Sequence, residues 1–505
     1  AIFTVDVPEG AFEEEVELRA SRIEEETELQ ELTEQANNAL KEEQSIVDVL
    51  AYDISFISLE TGEEVEPLKP VAVSMNFKEA IVSDKDANEV KEISVVHLPD
   101  SAQAETVTTV ENTDTTEFSF QTDSFSKYLL AVVMTPKVSV DGNSYPTITR
   151  AVAASEDGAI ITLLDDITES VEMEDRSFTI DLNGHTWTGR NDTVITANMN
   201  KKDVSLTLKG GKIVAASGYR AVEMDINRYG ADTHGELNII GVDLQGSKDA
   251  LVNSEGISFY GTTRKSGGII AALDTDIYMD SCELWDGNAG GNGGAVTVSP
   301  YSTDSKIKTI FTQCYFHDNV TSGKGGAISV ELMNSVKGRE VLFTMDNCIF
   351  ENNRASSGGA ISLESNNSGA KASMKAEISG DTQFTGNEAT SSGGAIYFDN
   401  RNVFENDALT ITDCYFTKNT AKSSNGGAIN TKSALNLQNV NLEENKSGSK
   451  GGAVFIDNTY AAEVNASIRE TRFVKNEAVI GGALALNASK ATSGVIALQD
   501  NCAFE

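Results

Sequence analysis

The chain of 505 residues carries 77 acidic against 39 basic side chains, a formal charge of −38 at pH 7. No basic patch or stripe accompanies that balance, which speaks against nucleic acid as a partner; solubility and self-repulsion outside the cell are its plainest explanation. Five cysteines without a CxxC pair, four scattered histidines (His97, His185, His234, His317) and no DxDxDG loop or nonapeptide repeat leave neither a metal nor a cofactor to be expected.

Residues 1–137 hold 31 acidic and 9 basic side chains, over half of the excess charge in about a quarter of the length. Strand-like runs such as Phe3-Thr4-Val5, Ile54-Ser55-Phe56-Ile57 and Val71-Ala72-Val73-Ser74-Met75 flank an acidic stretch from Ser21 to Gln44. Within it Leu29, Leu32, Ala36 and Leu40 fall close to one helical face, so an acidic amphipathic helix inserted into a β-sandwich is expected. The phrases VPEGAF, DISF, EPLKPVAVSM and TDSFSKYLLAVV resemble an immunoglobulin-like module of Firmicute surface proteins.

From residue 138 the pattern changes. Ala159 to Leu164, Phe178 to His185 and Val204 to Leu208 read as short strands that end at glycine or asparagine corners. The stretch Ser144 to Ser155, with Ile148, Val152 and Ala153 on one face, is expected to be a helix capping the first coil, since an open solenoid end exposes apolar core and strand edges.

From residue 282 a motif recurs: an aromatic or leucine, an asparagine three residues on, then Gly-Gly-Ala and an aliphatic residue. Phe316 and Asn319 lead to Gly325-Gly326-Ala327-Ile328, Phe350 and Asn353 to Gly358-Gly359-Ala360-Ile361, and Phe384 and Asn387 to Gly393-Gly394-Ala395-Ile396. Phe416 and Asn419, Leu442 and Asn445, and Phe473 and Asn476 repeat it with the pairs ending at Gly427, Gly452 and Gly482; Leu284, Asn288 and Gly293-Gly294 open the series as a degenerate copy. A period of roughly 25 to 35 residues is the mark of a solenoid, and strands of three to five residues without helical periodicity make it a parallel β-helix. The glycine pairs are expected to allow positive φ and close approach of coils, and the asparagines to tolerate left-handed geometry and bond one another in a stacked ladder.

These repeats closely resemble the GGAI and FxxN repeats of the polymorphic outer-membrane adhesins of chlamydiae, and related repeats in surface proteins of gut Firmicutes. The resemblance covers about residues 282–505 and implies a right-handed parallel β-helix that stands outside the cell and adheres to host surfaces. The fold class expected is therefore all-β: an immunoglobulin-like sandwich over 1–137, then a right-handed parallel β-helix over 138–505, irregular to 281 and regular from 282.

Each cysteine (Cys282, Cys314, Cys348, Cys414, Cys502) stands two residues before a recurring apolar position, where other repeats have Thr382, Val440 and Thr471. Alternation then turns Cys and Phe inward, as a buried stack of reduced thiols, and turns Tyr315, Ile349 and Tyr415 outward, with Trp285 near the same edge. Outward aromatics can stack on sugar rings or anchor a protein interface, so Trp285, Tyr315 and Tyr415 are the candidate ligand-binding residues. Catalysis on a β-helix would need paired carboxylates; the candidates are Asp165-Asp166 and the alternating Asp274, Asp276 and Asp280, of which Asp274 and Asp276 would share a strand face. No histidine accompanies them in sequence, the basic pair Arg264-Lys265 lies about ten residues upstream, and no GxSxG marks a nucleophile, so no enzyme is expected.

No signal peptide, sorting signal or membrane span is evident, and Cys502 to Glu505 match the strand that opens a further repeat, the pattern of a trimmed piece of a longer surface protein. The expected product is a monomeric, cell-wall-anchored or secreted adhesin of a Gram-positive gut bacterium. Its partner would be a host or microbial surface glycan or protein, immunoglobulin among them, without membrane insertion. A polysaccharide-degrading lyase or glycosidase and a passive stalk are the alternatives, and function is to be sought in outward residues and in the inserts Pro300 to Lys308 and Ser365 to Lys375.

Overall fold

The computed structural model describes residues 1–40, 44–79, 81, 92–99, 103–110, 115–225, 233–249, 266–300, 306–332, 339–365, 373–400, 408–457, 463–488 and 493–505. They are almost all β-structure and fall into two compact units, Ala1–Arg150 and Ala151–Glu505.

In the first unit, Ile2–Asp6, Val71–Asn76 and Glu117–Thr122 form a three-stranded antiparallel sheet. Val16–Ile23, Ser45–Ser58, Lys127–Met134, Glu92–Leu98 and Glu105–Val110 form a five-stranded one in that order. Alternation along the strands sends Val71, Val73 and Met75 of the small sheet and Phe56, Tyr128 and Leu130 of the large one into a single apolar cluster, the layering of a sandwich. The strand Lys127–Met134 is apolar on both faces because both are covered. Leu129, Ala131 and Val133 turn the other way and pack on Leu32 and Ala36 of the helix Glu26–Asn37. Burial of Leu32 alone is worth roughly 2 kcal/mol. Glu26 and Glu28 lie in the helix's first turn, at the positive end of its dipole, and Lys127 holds Glu28 at 2.9 Å.

The helix Ile148–Ala154 buries Ile148, Ala151 and Val152, while Ala153 is exposed. The expected face is corrected by one residue. Positions three and four beyond Ile148 share its side of a helix, whereas the fifth is turned away.

The second unit is built from parallel strands stacked in register. Eleven strands from Val171–Glu174 to Leu484–Asn487 form one sheet, at one strand spacing each about 50 Å long. Six two-residue strands from Asn288–Ala289 to Lys446–Ser447 form a second, and segments such as Lys306–Thr312 and Tyr315–His317 build the third and longest. Along that sheet Phe316, Phe350, Phe384, Phe416, Leu442 and Phe473 align tier on tier. Three successive phenylalanine pairs lie with ring centroids 4.8, 5.0 and 4.6 Å apart. Repeat-like parallel sheets with identical residues in register are the stacking pattern of a solenoid.

The repeat motif divides its labour residue by residue. The first glycine of each pair has positive φ, as at Gly358 with φ 63°. The second serves close approach: a Cβ on Gly359 would lie 2.0 Å from the Gly394 carbonyl oxygen and 2.6 Å from the Glu388 nitrogen of the next tier. The left-handed corner near the asparagine is made by the residue before it, Asp318, Asn352, Gly386, Lys418, Glu444 or Lys475, and not by the asparagine. The asparagines instead stack as a buried ladder. Asn353 Nδ2 donates to Asn387 Oδ1 at 3.0 Å and to the Phe316 carbonyl at 2.9 Å, and Asn387 repeats the pattern toward Asn419 and Phe350. In the degenerate copy Gly287 occupies the ladder position, its N–H donating to Asn319 Oδ1 at 3.0 Å. Asn288 lies one residue further on and points its amide to the Lys248 carbonyl.

Cys282, Cys314, Cys348 and Cys414 are buried and Cys502 is half-buried, all with free thiols. The Sγ atoms of Cys282, Cys314, Cys348 and Cys414 each sit 3.1 to 3.3 Å from the carbonyl oxygen two residues earlier. Thr471 makes the same contact through its hydroxyl, at 2.7 Å to Arg469 O. That shared donor role explains why Cys and Thr exchange at this position. Part of the acidity also has a local purpose: Asp157, Asp166, Asp175, Asp203 and Asp276 each accept from a backbone N–H in the following tier.

Candidate functional site

With Phe316 inward, the strand Tyr315–His317 must present Tyr315 and His317 outward. Its neighbour Glu283–Trp285 pairs in register, Glu283 beside Tyr315 and Trp285 beside His317. Three aromatic rings are thereby gathered on one outward facet. The Trp285 and His317 planes are parallel within 3°, centroids 6.0 Å apart, and Tyr315 stacks on His317 at 4.3 Å. Lys212 Nζ lies 4.9 Å from the Trp285 ring centroid.

Carboxylates frame the rings. His317 Nε2 is 2.9 Å from Glu283 Oε1 and Nδ1 is 2.8 Å from Asp318 Oδ2, an arrangement in which a neutral imidazole can donate to only one of the two. Tyr315 Oη donates to Glu351 Oε2 at 2.6 Å. Burial and the Glu351 carboxylate push the Tyr315 phenol above its usual range, so it stays a donor. Burial, then the charge of Glu283, raise the Asp243 carboxyl, with Lys212 opposing.

Tyr415 stands apart from this group. It is 45% exposed and paired with Gln383, two strands beyond Ile349, so it lies three strand spacings from Tyr315, about 14 Å. Trp285 and Tyr315 thus share a site with each other and with His317, a residue that sequence reasoning left among scattered histidines. The available signal was its offset: His317 follows Phe316 as Trp285 follows Leu284.

The acidic candidates are placed differently. Asp165 and Asp166 lie at an exposed corner, where their carboxylates accept from the N–H groups of Asp166 and Thr186. Asp274 has φ 41°, between the strands Ile270–Leu273 and Thr275–Asp280, so Asp274 and Asp276 flank a corner rather than share a strand face. A histidine does accompany Asp276: His234 Nε2 is 3.5 Å from its Oδ1, brought there by in-register pairing of Gly235 with Thr275. That hydrogen bond raises the His234 pKa, and although burial opposes it, the Asp276 pKa is lowered by His234 and the Lys308 N–H. Arg264-Lys265 and residues 301–305 and 366–372 of the two inserts lie outside the described residues. An open, shallow depression of about 200 Å³ lies further along, lined by polar groups of Thr410, Thr412, Asn436, Gln438, Ser467 and Arg469. Among the described residues no three His, Cys, Asp or Glu side chains converge to hold a metal ion, and no helix is long and apolar enough to cross a membrane.

Comparison with known proteins follows the repeats. The family model of the Chlamydia polymorphic membrane protein (Chlamydia_PMP) repeat matches residues 313–331, 347–364, 381–399 and 413–432. The probable autotransporter YfaL of Escherichia coli (strain K12) is 29% identical over 174 residues, 32% of this chain and 13% of that protein. The chain thus spans far less than two thirds of that curated relative. No solved structure matches it significantly. The chain is similar, distantly and in part, to repeat-bearing surface and autotransporter proteins.

Proposed function

We propose that the chain is the binding part of a bacterial surface adhesin, extracellular and secreted or anchored to the cell wall, whose second unit is a right-handed parallel β-helix and whose first is an immunoglobulin-like sandwich. The outward facet around Trp285, Tyr315 and His317 engages a partner on a host or neighbouring cell. What carries the reading is the contrast between inward and outward residues of the same repeats: Phe316 and Asn319 are consumed in the core, whereas Trp285, Tyr315 and His317 gather half-buried on one outward facet, linked across tiers to one another and to Glu283 and Glu351. The similarity to surface and autotransporter repeats supports the compartment. Catalysis is not proposed, because the better acid pair is split by a corner and Asp276 already holds His234 and a backbone N–H. The test is adhesion of the labelled chain to host epithelial cells and to glycan and protein arrays, with product release monitored. Saturable binding without turnover is expected; turnover lost on Asp276→Asn would establish the enzyme alternative, and no binding to any surface would leave a passive stalk.

A further inference from the structure

We infer that the depression over Thr410, Asn436, Ser467 and Arg469 binds a pyranose that carries a carboxylate, the Arg469 guanidinium holding the carboxylate and the neutral side chains exchanging hydrogen bonds with the sugar hydroxyls. The inference goes beyond the aromatic facet and does not depend on it. Register builds the site. Thr410, Asn436 and Ser467 stand side by side on successive parallel strands, and Thr412, Gln438 and Arg469 form a second row two residues on. The rows lie roughly 6.5 Å apart along the strands, and neighbours within a row about 4.8 Å apart. Between the rows Ile411 and Leu437 turn inward and are buried. The side chains that reach the depression of about 200 Å³ are therefore hydroxyls, amides and one guanidinium, groups that match a sugar ring and its hydroxyls.

Charge argues for the carboxylate. In a chain with 77 acidic side chains, none of these six positions is acidic, nor are Ala497 and Gln499, which continue the two rows on the next tier. Arg469 donates through Nε to Gln499 Oε1 at 2.8 Å and forms no ion pair among the described residues, whereas Arg472 on the same side of the rod holds Glu505 at 3.3 Å. Acids at the rim are turned elsewhere: Glu377 holds Lys375 at 2.5 Å, and Asp413 accepts from Asn439 Nδ2 at 2.6 Å. Glu470 follows Arg469 at a left-handed corner, φ 47°, without an ion pair to it. The terminal N–H groups of Arg469 are thus left to a ligand, and their planar fork matches a carboxylate with two parallel hydrogen bonds. One guanidinium answers one negative charge, and the formal charge of −38 disfavours a polyanion. No aromatic side chain lines the depression to anchor a protein partner.

Calorimetric titration and ligand-observed NMR with sialyllactose, digalacturonate and lactose test the inference. The two acidic probes separate a sialic acid from a uronic acid as the source of the carboxylate. At least one of them is expected to bind saturably and at least tenfold more tightly than lactose, about 1.4 kcal/mol. Arg469→Gln should abolish that preference, and Arg469→Lys, which keeps the charge but not the fork, should fall between. Arg469 is exposed, so both variants should melt with the parent. Arg472→Gln removes a positive charge outside the depression and should bind as the parent does. A triglutamate peptide, which offers carboxylates without a sugar, should not displace the bound probe. Failure of both acidic probes to bind, lactose binding as tightly as they do, or undiminished binding by Arg469→Gln overturns the inference. So does an equal loss in Arg472→Gln or displacement by triglutamate, since either reduces the effect to charge alone. Each of these results leaves the surface-binding reading standing, because cell adhesion of the parent chain is measured separately.

Discussion

Asn387→Ala is the sharpest test of the ladder. The side chain donates to Phe350 O and Asn419 Oδ1 and accepts from the backbone N–H and the Nδ2 of Asn353, at 2.9, 3.0, 3.0 and 3.0 Å. Truncation removes all four bonds. Asn419 Oδ1 keeps a donor in the Asn387 N–H, and Asn353 Nδ2 keeps Phe316 O. The Asn353 N–H and one proton of its amide then lose their acceptors inside a fully buried site. At 1–3 kcal/mol for each orphaned donor, the loss should be roughly 2–6 kcal/mol. The outward Gln383→Ala on the preceding strand serves as control and should cost less than about 0.5 kcal/mol. Urea unfolding by far-ultraviolet circular dichroism measures both. Native-state hydrogen exchange at the Asn353 amide is the better readout, because repeat proteins can unfold by segments. Equal midpoints for the two variants, with unchanged exchange at Asn353, would refute the idea that the ladder holds the tiers together.

Gly359→Ala should destabilise by about 1–3 kcal/mol or more, since the new methyl meets backbone of the next tier, and by more than Gly386→Ala, whose Cβ meets only Asn352 Oδ1 at 2.9 Å; thermal melts rank the two. His234 should titrate above its usual value of 6.5 by NMR and fall back toward it in Asp276→Asn. With the His234 pKa raised and the Asp276 pKa lowered, their pairing stabilises the fold between the two: the contribution is lost as pH rises through the His234 pKa and as it falls through the Asp276 pKa. Native alkylation at pH 8 should modify Cys502 first, because burial pushes the Cys414 thiol up to about 12 and keeps it from forming the reactive thiolate; peptide mass spectrometry should find Cys414 labelled only after unfolding.

The sequence by itself determined the periodic parts of this protein. Inward Phe316, Phe350 and Phe384, the Gly-Gly pairs and the helix carrying Leu32 and Ala36 were legible because each follows from spacing within one segment, at period 2 in strands or 3.6 in the helix. Spacing failed where geometry depends on the neighbouring tier. The ladder position of the first copy falls on Gly287 rather than Asn288, and the left-handed corner falls on the residue before each asparagine, since register is set by strands stacking in parallel and not by the motif's own count. The candidate site shows the same division. Trp285 and Tyr315 could be placed outward from alternation alone. Their meeting with His317, with Lys212 from two tiers before Trp285 and with Glu351 from one tier beyond Tyr315 was decided only by tertiary structure, where stacking brings residues some thirty positions apart to one strand spacing.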